Sequence, residues 1–349
     1  MRVLQLIDSL EAGGAERMAV SIANSLVGEI EASHICVTRK EGSLKKSIVP
    51  DVSYLFLGKK SSLDLFSLLR LRKYVARNRI TLIHAHSTSF FFGVLLKLTN
   101  PKLKLIWHAH HGEKVNASRK NYKALYASSY LIDKIITVNK PLMEWCKNTL
   151  AVKEVYFLPN FVPMTSLDLD FKPASKVVVH LANLKTPKNH IMALKAFAIV
   201  AAKHPDWQLH LLGKDFNDDY SNELKAFVKA NGLENSIIFL GAVDNIPAAL
   251  SQASIGLLSS KSEGWPMALM EYGAMGLSVI TTNAGASAEI VGHCAKVVSN
   301  DANLFANAIN DYIENPEERY RDSKSLQLRI IENFSSKSVI PLYLKLYKN

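Results

Sequence analysis

One stretch of the chain carries most of the information about its fold, residues 255–276, which reads Ile-Gly-Leu-Leu-Ser-Ser-Lys-Ser-Glu-Gly-Trp-Pro-Met-Ala-Leu-Met-Glu-Tyr-Gly-Ala-Met-Gly. The apolar run 255–258 predicts a strand. Pro266 suits the first turn of a helix, where a missing N–H costs little. Glu263 is therefore expected in a strand-to-helix loop, and Glu271 about a turn and a half into the helix.

The spacing of these two carboxylates suits a ligand with two polyol ends on either side of a phosphate. Eight residues of helix rise roughly 12 Å. A helix N-terminus between the carboxylates offers N–H groups and a positive dipole end to the phosphate. The pattern indicates a nucleotide-sugar site, although a surface glutamate in a loop and a solvated glutamate on a helix would give the same spacing.

Length, hydropathy and cysteine use restrict the class of protein. A chain of 349 residues predicts two domains. No uncharged apolar run reaches the length of a membrane span, and no secretory signal is expected at the start. The three cysteines, Cys36, Cys146 and Cys294, are scattered, which favours a reducing compartment without a disulfide framework or structural zinc.

The net charge of +11 is concentrated in the first half of the chain, where residues 1–160 hold 24 Lys and Arg but 12 Asp and Glu. A basic half predicts a polyanionic partner. Residues 63–79 form an apolar and then basic helical pattern that suits contact with an anionic membrane, although an ordinary surface helix explains it equally well. A second basic cluster, residues 119–123, favours the membrane.

Short apolar strands alternate with helical stretches along the chain, which predicts parallel α/β sheets. The segment 159–174, with three prolines, is interpreted as a linker between two doubly wound domains. Ligands are expected at the carboxyl ends of the strands. The predicted strands are Val3–Ile7, Ser33–Thr38, Ser53–Leu57, Leu82–Ala85, Leu103–His108, Lys134–Val138 and Val155–Phe157, then Val177–Leu181, Trp207–Leu212, Ile237–Leu240, Ile255–Leu258, Ser278–Thr281 and Ala295–Val297.

The Glu-Gly-x-Pro-x-x-x-x-Glu pattern at 263–271, with the strand that follows it, resembles the E-x7-E signature of the retaining GT-B glycosyltransferases of family GT4. The resemblance runs over nearly the whole chain. It implies an acceptor-binding Rossmann-like domain at 1–163, a nucleotide-sugar-binding one at 164–334, an interdomain cleft, and a final helix at 335–349 that crosses back to the first domain.

This resemblance also implies the donor-contacting residues around the signature. Glu263 would contact the donor sugar and Glu271 the ribose. The residues between them that are expected to bind the donor are Gly264, Trp265, Pro266 and Met267.

Two segments of the N-terminal half match the same family. Gly13 and Gly14, which precede a helix, would lie beside the donor diphosphate, and the segment is neither Gly-x-Gly-x-x-Gly nor a P-loop. His110 matches the histidine that interacts with the donor sugar, although His111 takes the usual glycine place and the register could shift by one. The clustered histidines also suit a metal, but no acidic or thiol partner has ligand spacing. They are His84, His86, His108, His110 and His111.

The segment after the strand at 177–181 matches the family less closely. Lys188 matches the lysine that neutralises the diphosphate, but Asn183 stands where the family has arginine. Neutral asparagine cannot make the bidentate charged bond of a guanidinium. Lys185 is the hypothetical replacement for that charge, and Gly213 matches a strand-end glycine at the nucleotide.

These residues predict a glycosyltransferase that moves a hexose from a nucleotide sugar, with UDP favoured, to a lipid-linked or surface-glycan acceptor. His110, Glu263 and Lys188 are the expected catalytic residues, with no metal or cofactor. The expected location is the cytoplasm, peripheral to the inner face of the cell membrane. An epimerase or inverting transferase of the same fold is the alternative, and a nucleic-acid-binding protein fits least, because the basic half has no interleaved aromatics.

Overall fold

The computed structural model describes residues 1–11, 13–110, 123–163 and 175–348. It divides into two compact units, one formed by Met1–Pro163 with Ser336–Asn349 and the other by Met164–Ser335. Each unit has its own parallel sheet. Among the described residues, no helix combines the length and the apolar character that crossing a bilayer requires.

The first unit contains a seven-stranded sheet in the order β3-β2-β1-β4-β5-β6-β7, with every pair parallel. The order reverses between β1 and β4, and such a switch point leaves a crevice at the carboxyl ends of the strands. The strands are β1 (Arg2–Ser9), β2 (Ala32–Lys40), β3 (Ser53–Phe56), β4 (Leu82–His86), β5 (Lys104–Ala109), β6 (Lys134–Thr137) and β7 (Glu154–Phe157). The helices are α1 (Gly14–Ser25), α2 (Leu65–Arg77), α3 (Phe90–Thr99), α4 (Lys123–Ser129), α5 (Lys140–Thr149) and α13 (Ser336–Lys348).

The second unit repeats this plan with six parallel strands in the order β10-β9-β8-β11-β12-β13, and its switch point lies between β8 and β11. The strands are β8 (Val177–Leu181), β9 (Gln208–Leu212), β10 (Ile237–Gly241), β11 (Ile255–Leu258), β12 (Ser278–Thr282) and β13 (Lys296–Val298). The helices are α6 (His190–Lys203), α7 (Asp219–Ala230), α8 (Ile246–Leu250), α9 (Met267–Ala274), α10 (Ser287–Val291), α11 (Ala302–Glu314) and α12 (Pro316–Phe334).

The predicted fold class is confirmed, and the reason lies in the central strands. Every residue of β4, β11 and β12 is buried, as expected for parallel strands covered by helices on both faces. The predicted strand positions agree with the observed ones to within a few residues. At the helix after β11, Pro266 lies just outside as the N-cap and α9 begins at Met267, whereas Pro266 was expected in the first turn.

Candidate active site

Glu263 and Lys188 meet at the carboxyl edge of the second unit. Lys188 follows β8 and Glu263 follows β11, the two strands that flank the switch point. The Lys188 Nζ donates to Glu263 Oε1 at 2.6 Å, and Ser260 Oγ donates to the same oxygen at 2.6 Å. The Glu263 side chain is 8% exposed and that of Lys188 is 30% exposed. The pair therefore leaves the lysine side open to solvent while it holds the carboxylate in place.

A buried serine fixes the loop that carries Lys188. Ser259 Oγ donates to the main-chain oxygens of Lys188 and Asn189, at 3.0 and 3.1 Å. Its oxygen lies 3.0 Å from His180 Nε2, which donates to it because the serine hydrogen is already used. Burial, with the nearby charges of His190 and Lys188, holds the pKa of His180 well below its ordinary value, so the ring is neutral. Two strand ends are thus joined through uncharged hydrogen bonds.

Asn183, which replaces the family arginine, has a structural role in the loop. Its Oδ1 accepts from the main-chain N–H of Lys214 at 2.8 Å, and Leu184 N donates to Lys214 O at 3.0 Å. These bonds join the segment after β8 to the segment after β9. Gly213 makes the approach possible, because a Cβ there would lie 2.0 Å from Ala182 O.

Two further lysines, Lys185 after β8 and Lys214 after β9, share one aromatic ring. Lys185 Nζ lies 4.8 Å from the centroid of the Phe216 ring, and Lys214 Nζ lies 5.2 Å from it. The quadrupole of an aromatic face attracts cations, so the ring holds both ammonium groups near the ends of β8 and β9. Positive charge is therefore present at this edge although the family arginine is not.

The loop that carries Glu263 is closed by a glycine contact and a buried indole. A Cβ on Gly285, whose φ is +57°, would lie 2.1 Å from Glu263 O. The Trp265 side chain is 5% exposed and packs edge-on against Phe334 at 5.5 Å between ring centroids. The indole is used for packing, whereas Gly264 and Met267 in the same segment are partly exposed.

Glu271 lies in α9, next to a tyrosine that anchors the helix. The Tyr272 hydroxyl accepts from Leu181 N at 2.5 Å and donates to Leu257 O at 3.0 Å, which links β8 with β11. Tyr272 is fully buried, and the absence of a side chain on Gly256 makes room for its ring, since a Cβ there would lie 2.5 Å from ring atoms. The helix that carries Glu271 is thereby held at the switch point.

A cavity of about 510 Å³ opens beside the loop that carries Glu263, at the ends of β11, β12 and β13. Ser260, Thr282 and Asn300 are among the residues that line it. Ser260, a hydrogen-bond partner of Glu263, lines this cavity, but none of the residues predicted to bind a donor lines it.

Of the N-terminal predicted residues, Gly13 caps α1 and Gly14 is its first residue. A Cβ on Gly13 would lie 2.3 Å from Glu16 Oε2, so the missing side chain lets Glu16 fold back over the helix start. Burial raises the pKa of Glu16. Ala12 lies outside the described residues, as do His111 and residues 119–122 of the second basic cluster.

The histidines form a stack in the core of the first unit. His84 and His86 on β4 and His108 on β5 are fully buried, with His108 and His110 ring centroids 4.0 Å apart. Burial holds the pKa of His84 at about 3 and those of His86 and His108 well below the ordinary value. Their neutral rings are the form that binds a metal, and nitrogens of His84, His86 and His108 lie within 4.8 Å of one another. His86 uses both nitrogens in hydrogen bonds to Gln5 and His110, so a metal would have to break one of them.

Sequence reasoning missed a polar cluster at the other switch point, between β1 and β4. Asp8 accepts hydrogen bonds from Thr38 and from Thr88 and pairs with Lys59 at 3.1 Å. Burial alone would raise the pKa of Asp8, but these bonds and the Lys59 charge together lower it. The sequence signal was an acidic residue at the end of the first apolar strand.

Two known protein families match this chain, one over each half. Residues 168–327 match the family described as Glycosyl transferases group 1, and residues 12–165 match the family described as Glycosyltransferase Family 4. The chain belongs to the group 1 glycosyltransferases. Its two sheets are those of the GT-B fold, so the predicted family and fold are confirmed.

The glycosyltransferase is also similar to individual proteins over most of its length. An uncharacterized glycosyltransferase of Haemophilus influenzae is 24% identical over 279 residues, which are 78% of this chain and 77% of that protein. The O-antigen biosynthesis glycosyltransferase WbnH of Escherichia coli is 25% identical, over 96% of this chain and 98% of that one. Anabaena Alr3699/HepE, crystallised with UDP-glucose, has a TM-score of 0.81 at 18% identity, with 100% and 99% of the chains covered, which shows a shared fold.

Proposed function

We propose that this glycosyltransferase is a retaining enzyme that transfers a hexose from a UDP-sugar to a lipid-linked or surface-glycan acceptor. The observation that carries the proposal is the Lys188–Glu263 pair at the switch point, with Lys188 Nζ 2.6 Å from Glu263 Oε1. Two similarities support the choice of substrates. WbnH is by its name an O-antigen enzyme, and HepE was crystallised with UDP-glucose.

The proposed chemistry uses charge to help the diphosphate leave. The bond between the anomeric carbon and the diphosphate breaks, and the ammonium groups of Lys188 and Lys185, with N–H groups at the start of α9, stabilise the charge that develops. Because these groups supply the neutralisation, the proposed reaction requires no metal. Glu263 and His110 hold the sugar, and the acceptor hydroxyl attacks the face from which the diphosphate departs, which retains the configuration.

Calorimetry with a panel of UDP-, GDP- and dTDP-sugars, with and without EDTA, tests the donor site. We expect one nucleotide to bind tightly in both conditions and to lose affinity in Glu271→Ala and Lys188→Ala. Lys195→Ala is the matched control, since Lys195 is an exposed lysine on α6. Failure of every donor to bind, or loss of binding with EDTA, would contradict the donor proposal.

Retention has a separate test. With a donor of known anomeric configuration, the product of transfer is examined by NMR. We expect the same configuration at the anomeric carbon. An inverted product would overturn the retaining assignment, and a free nucleotide sugar with an altered hexose would favour the epimerase alternative.

An exposed apolar surface on α2 supports the proposed lipid-linked acceptor and peripheral location. Leu65 is 68% exposed and Phe66 is 83% exposed, and Leu63 and Leu69 beside them are also exposed. Basic residues follow on the same segment, between 70 and 79. Apolar side chains next to basic ones suit an anionic bilayer.

Vesicle sedimentation tests this surface. Phe66→Ser with Leu69→Ser should reduce binding to phosphatidylglycerol vesicles and leave UDP-sugar binding unchanged. Leu328→Ser is the control, because Leu328 is 54% exposed on α12 in the other unit. Unchanged vesicle binding in the double variant, or an equal loss of donor binding, would contradict the membrane proposal.

A further inference from the structure

One carboxylate oxygen of Glu263 accepts two hydrogen bonds at once. Lys188 Nζ and Ser260 Oγ each donate to Glu263 Oε1 at 2.6 Å. A carboxylate oxygen only accepts, so both hydrogens belong to the lysine and the serine. The same oxygen is therefore held by a charged donor and by a neutral one.

The two donors differ in how firmly the protein holds them. Ser260 is buried, and its main-chain oxygen accepts from Thr282 Oγ1 at 2.6 Å. Its short side chain keeps the hydroxyl close to that fixed main chain. Lys188 instead has a flexible four-carbon stem and is 30% exposed. The lysine is thus the donor that can leave Oε1 while the serine stays.

The main chains on both sides of the pair are joined, so a change can be confined to the lysine side chain. Lys261 N donates to Pro187 O at 2.8 Å, which links the loop that carries Glu263 to the loop that carries Lys188. Ser259 Oγ adds its bond to the main-chain oxygen of Lys188. Movement of the ammonium group requires only rotation about the bonds of the lysine stem.

The proposed role of Lys188 at the diphosphate conflicts with its bond to Glu263. An ammonium group that neutralises a carboxylate at this distance offers less charge to a second anion, since both anions compete for the same cation. If the lysine leaves, the Glu263 side chain, which is 8% exposed, loses its charged partner. A buried carboxylate without a donor is costly, and the Ser260 hydroxyl is the donor that remains.

We propose that Ser260 is a positioning residue that keeps Glu263 in place while Lys188 turns from the carboxylate to the diphosphate of the donor. One lysine can then serve two anions in succession without releasing the carboxylate that holds the sugar. This inference rests on the proposed function, in which Lys188 acts on the diphosphate and Glu263 on the sugar.

Calorimetry with UDP tests this inference, because UDP carries the diphosphate but no sugar for Glu263 to contact. Ser260→Ala should weaken UDP binding about 10- to 100-fold, since the lysine must then leave a carboxylate that has lost its second donor. Ser260→Thr should retain the affinity, because it keeps the hydroxyl and the cavity beside Ser260 has room for a methyl group. Ser278→Ala is the matched control, a buried serine of the same unit whose hydroxyl donates to Arg319 O at 2.6 Å.

Glu263→Gln separates this role from a general disturbance of the loop. An uncharged amide does not hold the ammonium group as a carboxylate does, so the variant should bind UDP more tightly than the wild type. Ser260→Ala added to Glu263→Gln should then leave the Kd of UDP unchanged, which makes the two substitutions strongly non-additive. A disturbed loop would instead weaken UDP binding in both backgrounds.

The outcomes separate the inference from the proposed function. Wild-type affinity in a folded Ser260→Ala variant, or an equal loss with and without Glu263→Gln, would overturn the positioning role. If Ser260→Ala does not fold, Glu263→Gln decides alone, and UDP binding weaker than in the wild type would contradict the competition for Lys188. Wild-type affinity for UDP in Lys188→Ala would overturn the proposed function, and the inference with it.

Discussion

The two carboxyl edges of this glycosyltransferase are built on the same fold, but they carry different polar side chains. In the second unit, Lys188 keeps 30% of its side chain exposed and pairs with Glu263, and we call this the charged edge. In the first unit, the histidines of β4 and β5 are fully buried and neutral. An ammonium group that is partly exposed can stabilise an anion, whereas buried neutral rings can offer only directed hydrogen bonds. The difference predicts that anion binding by the second unit depends on Lys188.

The largest expected effect is a loss of catalytic efficiency when the ammonium group of Lys188 is removed. Lys188→Ala should lower kcat/KM about 10²- to 10³-fold, because a preorganised cation aimed at the leaving group contributes on that scale. Steady-state kinetics with the best donor of the panel measures it.

Lys195→Ala again serves as control for loss of a lysine. An equal effect of both substitutions, or wild-type kinetics in Lys188→Ala, would mean that the charged edge does not act on the leaving group.

The next effect concerns stability of the first unit. Asp8→Asn removes the partner of Lys59, whose side chain is 4% exposed, and should cost about 3 kcal/mol, as a buried charge left unpaired does. Urea unfolding followed by fluorescence measures the loss. The Kd of UDP for the folded variant should not change, and a weaker Kd would contradict the assignment of UDP to the second unit.

The same pair predicts a pH dependence. The pKa of Asp8 is lower in the folded protein than its ordinary value of 3.8. The contribution of the Asp8 carboxylate to stability is therefore complete above about pH 5. It is lost as the pH falls below the ordinary pKa of 3.8 and through the lower pKa of the folded protein. Unfolding between pH 6 and pH 3 should show a smaller loss of stability in Asp8→Asn than in the wild type, and parallel losses would contradict the role of this carboxylate.

A smaller loss of stability is expected from substitution of Tyr272, the residue that anchors α9 in the second unit. Tyr272→Phe leaves the buried main-chain N–H of Leu181 and the oxygen of Leu257 without this hydroxyl. The cost should be about 1–3 kcal/mol, as for a buried polar group without a partner. Tyr126→Phe is a matched control in the first unit, where the hydroxyl bond is to exposed Tyr130. Equal stability of the two variants would contradict the anchoring role.

The smallest effect should be at Lys185, which is held near the Phe216 ring. Lys185→Ala should weaken UDP binding by about 1 kcal/mol, the scale of an ion pair exposed to solvent. Phe216→Leu should have a similar effect if the ring holds the ammonium in place. An unchanged Kd in both variants would remove Lys185 from the donor site.

The sequence was sufficient to predict the fold because its strands are continuous apolar runs separated by helical stretches, as in β11 and β12. Motif spacing also indicated the Lys188–Glu263 edge, because both residues follow strands of one sheet. The contacts of Asn183 with Lys214, and of His86 with Gln5, join residues 31 and 81 positions apart. No periodic pattern encodes such contacts, so the use of Asn183 for loop structure and the hydrogen bond between His86 and Gln5 required the three-dimensional structure.

The most direct test of the central claim is calorimetry of UDP and of uridine against the wild type, Lys188→Ala and Lys195→Ala. The charged edge predicts that Lys188→Ala weakens UDP binding about 10- to 100-fold, equal to the loss of a charge-assisted bond, while the affinity for uridine and the behaviour of Lys195→Ala stay at wild-type levels. Equal affinity of wild type and Lys188→Ala for UDP, or a parallel loss for uridine, would contradict the claim that this edge recognises the diphosphate.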